Sequence, residues 1–269
     1  YWGKELTLIY NDAWSPIPGN KHPWALGNPA KKVWPEIWSN IEPQFQKAFA
    51  GEPGGSKNAW LPMQRHGYTE ECYFDFTFTP VYGEGGKVEG VFNAVIETTK
   101  TLINERQLQT LRDLSNLDSH SSNVDEFFKA VAQALEKNNK DFPFGIIYKI
   151  APAQKLARPV AYCGIEKEQQ VFPKVIDLAN TKEEMPGFDK AFSENKIIVT
   201  ENKRQQKDLP AGGWQAQPTH FIHIPITKHS SKHPHAILFA ALNPFRRYDE
   251  SYSQFAQLVA DQIAGELNN

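Results

Sequence analysis

Residues 98–117 read TTKTLINERQLQTLRDLSNL, a run with no Gly and no Pro between two segments of different character. Its apolar residues are Leu102, Ile103, Leu108, Leu111, Leu114 and Leu117. At about 100° per residue, Leu108, Leu111, Leu114 and Leu117 sweep an arc of roughly 180°. A heptad seam would stay in place, so this is not a clean coiled coil. The stretch is expected to be a helix that leaves one domain and enters the next. Two readings stay open: a surface connector that transmits nothing, or a helix that couples the two modules and pairs with its twin in a dimer.

The chain has 269 residues, of which 40% are hydrophobic and 12% aromatic, enough for two packed cores of ordinary size. A net charge of −2 gives no reason to expect a nucleic-acid partner. No apolar run approaches the ~20 residues of a membrane span. Cys72 and Cys163 lie far apart and form no CxxC pair, which argues against a disulfide framework or a structural zinc site and suits a reducing, cytoplasmic compartment. The chain starts without Met, so its natural beginning is expected upstream.

Before the linker, residues 6–10 are β-branched and aromatic and read as a strand ended by Asn11 and Asp12. Pro16, Pro18 and Pro23 keep the following chain irregular. Trp34, Ile37, Trp38, Ile41 and Phe45 have helical spacing interrupted by Pro35 and Pro43, so short helices are expected, the better one over 42–50. Three strands follow, at 58–65, 72–81 and 88–96, the last two joined by a turn at Gly85 and Gly86. In the middle strand Phe74, Phe76 and Phe78 alternate with Tyr73, Asp75, Thr77 and Thr79. After the linker, the pattern predicts a helix over 123–138, strands over 144–150 and 160–165, a short helix over 186–195, strands over 196–200, 220–226 and 236–242, and a closing helix carrying Phe255, Leu258, Val259, Ile263 and Leu267. The fold class is α+β: two antiparallel sheets with helices, joined by a helix.

LTLIYNDAW, HPWALGNPAKKVWPEIW and GYTEECYFDFTFTPVYGEGGKVEGVFNAVIETT resemble the PAS domain of bacterial multi-sensor histidine kinases. FIHIPIT followed by HAILFAALNPFRRYDESYSQFAQLVADQIAGEL resembles the end of a GAF domain, and RQLQTLRDL is similar to the segment between the two in these kinases. The resemblance implies a PAS-like domain at 1–99, a linker helix at 100–118 and a GAF-like domain at 119–269. It also implies a strand before Trp2 that is missing or cut short here. The implied role is the sensory input region of a two-component, phosphorelay histidine kinase or hybrid kinase, with the kinase core in cis beyond this chain. The final helix, which has no Gly or Pro stop, fits such a continuation.

The chain's own residues do not carry kinase chemistry. None of its histidines has the acidic neighbour and Thr-Pro of a phospho-acceptor; His120 sits in DSHSS and reads as a linker residue. No GxxxxGK[ST] or GxGxxG motif occurs, so the fragment is expected to be non-catalytic. Cys72, on a predicted strand after Glu70 and Glu71, argues against a flavin photosensor. Cys163, followed by Gly164 and Ile165, argues against a bilin. The cyclic-nucleotide pattern is not met by Asn195, Lys196, Glu201, Asn202 and Lys203. His66 before Gly67 reads as a turn residue and not a haem ligand. His229, His233 and His235, with His220 and His223 in the preceding strand, could bind a transition metal, but their loop holds no carboxylate or Cys and reads as solvated. Arg246 and Arg247 could bridge a dimer; the simpler expectation leaves both in water, with Asp249 or Ser251 capping the last helix.

The ligand-pocket candidates are Trp34, Trp38, Phe76, Phe78 and Phe92 in the first domain, which could line a cavity or fill it. In the second they are Phe144, Tyr148, Tyr162, Phe188 and Trp214, the last as a lid or exposed contact after Gly212 and Gly213. Three functions remain open: an input module that senses a small molecule, redox state or partner and drives a kinase or another output such as a cyclase; a ligand-free dimerisation scaffold; and a stand-alone enzyme, for which no acid–base pair or nucleophile speaks.

Overall fold

Alternating aromatic and polar residues make the central strand of the first sheet. A computed structural model describes residues 1–117, 123–151, 153, 155–166, 172–179, 185–202, 208–229 and 231–268. In it Phe74, Phe76 and Phe78 of β2 (Tyr73–Tyr82) turn inward, while Thr77 and Thr79 face water. β1 (Gly54–Trp60) and β3 (Val88–Glu97) pair with β2 on either side, both antiparallel. The inner face packs on α1 (Ala30–Val33) and α2 (Trp38–Phe49), with Phe45 stacked on Phe78 at 4.3 Å between centroids. Burying a ring of this size stabilises by roughly 2–3 kcal/mol.

Several expectations fail here for identifiable reasons. The strand at 6–10 is absent: Leu6 takes a positive φ of 54°, and only isolated bridges join Thr7 to Trp2 and Pro29. Pro43 does not break α2. The ring leaves the carbonyl of Ser39 without its helical donor, but both residues are exposed, so water can serve that carbonyl. β1 begins four residues earlier than expected, because GGSKNAW is mostly exposed and offers no alternation to read. It carries a bulge between Ser56 and Ala59, where Asn58, at φ 48°, donates its N–H to Asp75 Oδ1 at 2.6 Å.

The chain divides into two units, Tyr1–Asn104 and Glu105–Asn269, and α3 (Thr99–Ser115) runs through the division. Within α3 the inward positions are not those of a leucine seam. Leu114 is buried and Leu111 half-buried, but Leu108 is 53% exposed and the polar Thr110 is buried in its place. Residue 118, the expected linker end, and His120 and Lys203 lie outside the described residues.

The second unit is built on a six-stranded antiparallel sheet. Its strands are β4 (Gly145–Ala151), β5 (Leu156–Cys163), β6 (Ile176–Asp177), β7 (Ile198–Glu201), β8 (His220–Ile226) and β9 (Ala236–Ala241), in the order β6-β5-β4-β9-β8-β7. One face carries α4 (Val124–Glu136) and α6 (Glu250–Asn268), with Phe128, Val131, Phe255 and Val259 packed on Ile147, Ile222, Ile224 and Leu238. The other face is covered by α5 (Phe188–Glu194) and its flanking loops. β5 starts four residues before the expected strand, since Arg158 and Pro159 hide its periodicity, and the two-residue β6 gives no signal at all.

Candidate functional site

Both units place aromatic side chains on a helix-covered face of a sheet. In the first unit a cavity of about 40 Å³ is lined by Trp34, Phe76 and Phe78, together with Tyr1, Trp14, Ile17, Met63, Phe74, Asn93 and Val95. Its wall is apolar apart from the Tyr1 hydroxyl, which accepts from Trp34 Nε1 at 3.2 Å, and the Asn93 amide, which donates to the Thr77 carbonyl at 3.1 Å. Two expected liners lie elsewhere. Trp38 stacks beside Phe45 at 5.9 Å and is not in the wall. Phe92 is 62% exposed on the opposite face, because antiparallel pairing sets Asn93 against Phe78 and Val95 against Phe76.

Beside this cavity lies a charge network centred on Arg65, the last residue of the strand expected over 58–65. Arg65, almost fully buried, forks onto Glu97 with Nη1–Oε2 at 2.9 Å and Nη2–Oε1 at 2.6 Å, and its Nε reaches Glu70 Oε2 at 3.1 Å. Thr99, the first residue of α3, donates to Glu97 Oε1 at 2.9 Å and accepts from the N–H of Tyr73 at 2.9 Å. Burial by itself would raise the Glu97 carboxyl; the Arg65 fork and charge outweigh it and hold Glu97 below the usual range. The Cys72 thiol, 3.4 Å from Arg65 Nη2, is nevertheless pushed up to about 12 by burial. It is a buried core residue just before β2, whereas the strand expected over 72–81 begins with it.

In the second unit, Phe144, Tyr148 and Phe188 come together on the α5 side with Phe221 and Phe239, and Tyr162 is half-buried against them. Tyr148 has no exposed surface; its hydroxyl donates to the Pro173 carbonyl at 2.9 Å, and Phe188 meets it edge-on at 5.6 Å. Trp214 is neither a lid nor an exposed contact. It is 7% exposed, donates Nε1 to the Lys140 carbonyl at 2.8 Å and packs on Phe245 at 5.3 Å.

The histidines separate as well. His223 is fully buried on the aromatic face, 5.2 Å from the Phe239 ring, with Nε2 3.5 Å from Thr200 Oγ1. His233 stacks on Phe192 at 5.6 Å. Among the described residues no group of His, Cys, Asp and Glu could hold a metal. Gly187, at φ 92°, brings backbone over His223: a Cβ there would stand 3.2 Å from its Nε2.

Burial lowers the His223 pKa to about 4, with the Pro186 backbone and the Asp189 charge acting weakly the other way. Unfolded, the ring titrates near its ordinary value, so the unfolded chain binds the proton first. Stability is therefore fully present above about pH 6.5 and falls as the pH drops toward 4, by about 3 kcal/mol in all. Urea midpoints measured between pH 7 and pH 4 are expected to show this loss, and H223F is expected to remove most of that slope.

This six-stranded sheet, with two helices on one face and a packed aromatic cluster on the other, is matched by the GAF domain family model over residues 121–267. The chain belongs to the GAF domain family. GAF domains are typical of sensory regulatory regions. Among solved structures, the GAF domain from an Acinetobacter phosphoenolpyruvate-protein phosphotransferase is similar at 15% identity and a TM-score of 0.44, covering 60% of this chain and 92% of that one. A free methionine-R-sulfoxide reductase from Neisseria meningitidis, in complex with its substrate, is similar at 12% identity and a TM-score of 0.43, covering 62% and 89%. Residues 122 to 287 of a methyl-accepting chemotaxis protein are similar at 16% identity and a TM-score of 0.41, covering 60% and 95%. No curated protein matches the chain. No helix among the described residues is long and apolar enough to cross a membrane.

Proposed function

We propose that this chain is the sensory input region of a cytoplasmic two-component histidine kinase, with a PAS-like first unit and a GAF second unit acting on a kinase core in cis. The observation that carries the reading is α3. Its first residue, Thr99, is hydrogen-bonded to the sheet and the Arg65–Glu97 network of the first unit, while Leu111 and Leu114 of the same helix pack into the GAF core. A change at the first sheet thus has a covalent path of one helix into the second core. A bistable helix needs only a few kcal/mol of bias to respond. The exposed Leu108 of α3 and Leu258 of α6 support pairing of these helices between two copies.

The chain's thiols favour this reading over redox catalysis. Sulfoxide reduction by cysteine needs an attacking thiolate and a second thiol to resolve the oxidised sulfur. The second unit has only Cys163, which is buried, and burial pushes its thiol up to about 12.

To test the proposal, the chain is fused through α6 to a histidine-kinase core, and a Gly-Pro pair is inserted after Asn104 to break α3. Autophosphorylation is expected to change at least about fivefold, the lower end of allosteric coupling. Unchanged autophosphorylation would make α3 a passive connector. A small molecule retained in native mass spectrometry would separate ligand sensing from a ligand-free scaffold.

A further inference from the structure

The GAF unit contains a buried charge centre that belongs to neither aromatic face. Asp141 has no exposed surface and accepts twice from Arg106 of α3, from Nε at 3.0 Å and from Nη2 at 2.7 Å. Asn138, three residues earlier, donates Nδ2 both to Asp141 Oδ2 and to Thr110 Oγ1 of α3, each at 2.9 Å. Tyr252, in the first turn of α6, donates its hydroxyl to the Asp141 main-chain carbonyl. A second guanidinium is also present. Arg246, expected in water, lies over the Tyr252 ring at 4.5 Å, its side chain only 11% exposed. Its Nη1 stands 3.7 Å from Asp141 Oδ1 and has no hydrogen-bond partner among the described residues. Its Nη2 donates to Ser251 Oγ at 2.7 Å, beside Asp249, which caps α6 by accepting from the N–H of Tyr252 at 2.9 Å.

Two guanidiniums therefore face one buried carboxylate, and of the two Arg106 alone is at hydrogen-bond distance. A buried carboxylate that loses its partner must find another or be neutralised. Arg246 needs to move only about 1 Å to reach charge-assisted hydrogen-bond distance. We propose that Asp141 is a relay between α3 and α6: when α3 withdraws Arg106, Asp141 recruits Arg246, which leaves Ser251 and loosens the cap of α6. This rests on α3 being the input path, and it gives that path an exit on the helix that ends the unit without passing through the aromatic face. Arg106 and Arg246 act as positioning residues for α6.

The test is amide hydrogen exchange on the full chain, with no kinase attached, so its outcome is independent of the fusion experiment. R106Q is expected to accelerate exchange of the first-turn amides of α6, residues 251–254, by about tenfold. In the R246Q background the cap has already lost its guanidinium, so R106Q is expected to add nothing there. A merely structural role for the centre would give the same acceleration in both backgrounds, and that result would overturn the relay. So would unchanged exchange in α6 on replacing Arg106. Should R106Q fold poorly, R106K keeps the charge, loses the bidentate geometry and is expected to show the same dependence on Arg246 at smaller amplitude.

Discussion

R65L is expected to destabilise the first unit by about 3–5 kcal/mol, the cost of removing one partner from a buried ion pair. The Arg65 side chain is 7% exposed and faces two carboxylates, Glu70 at 10% and Glu97 at 31%. Leucine would fill part of the space but strip the fork from Glu97, which Thr99 also hydrogen-bonds, and the Nε contact from Glu70, which keeps His66 Nδ1 at 2.7 Å. A loss of this size is a large share of the ~5–15 kcal/mol that ordinarily separates folded from unfolded domains. Apart from Trp214, every tryptophan precedes residue 61, so intrinsic fluorescence during urea unfolding reports chiefly on this unit. R65K would keep a charge without the fork and is expected to fall between wild type and R65L. The sign with pH is also fixed. Glu97 is held below the usual carboxylate range, so its contribution is present above that range and is lost as the pH falls through its folded value. The gap between wild type and R65L should therefore narrow in acid. A gap below about 1 kcal/mol at neutral pH would show that the network is no more than a surface pair.

Arg65 also marks where sequence reading stopped. The middle strand of the first sheet was legible because three phenylalanines alternate with polar residues, and β8, bounded by polar loops, emerged with the expected ends, 220 to 226. The long amphipathic helices α4 and α6 were legible for the same reason: one face of each repeats every three or four residues. The strand expected over 58–65 ends at Trp60, so Arg65 falls outside it, and Asp141 sits in NNKDF, where no period exists; the meaning of both comes from partners 32 and 35 residues away. Phe92 shows a different limit. Its size suggested an inward position, but the side it faces is decided by pairing with β2, and a shift of one residue exchanges the faces. The positive φ of Leu6, at the start of the expected first strand, has no signature in LTLIY. In the linker the leucines identified a helix but not its buried side, because Thr110 is held inward by Asn138 and Leu108 is not.

F239A is expected to cost about 3–5 kcal/mol and to turn the filled face of the GAF sheet into an open one. Phe239 is 2% exposed and lies at the centre of a ring cluster: Phe172 at 4.8 Å, Phe221 at 5.1 Å, His223 at 5.2 Å and Phe144 at 6.4 Å between centroids. These neighbours come from β8, from the residue just before β4 and from a loop, so they cannot all collapse onto the vacated space without moving backbone. The space left would be apolar on most sides, and apolar cavities of ring size stay dry and accept small aromatic molecules. Indole or benzene added to F239A should raise its melting temperature, by the equivalent of about 1.4 kcal/mol at a tenfold excess over Kd, and should leave wild type unchanged. This pair of measurements bears directly on how the GAF unit could sense. If wild type is also stabilised by the probe, the aromatic cover already opens at equilibrium and the natural ligand enters where Phe239 now packs. If only the variant responds, Phe239 is the plug, and a natural signal must displace it or act through α3. If neither responds and F239A loses less than about 1 kcal/mol, the packing around Phe239 is loose enough to close behind it, and this face is ruled out as a small-molecule site.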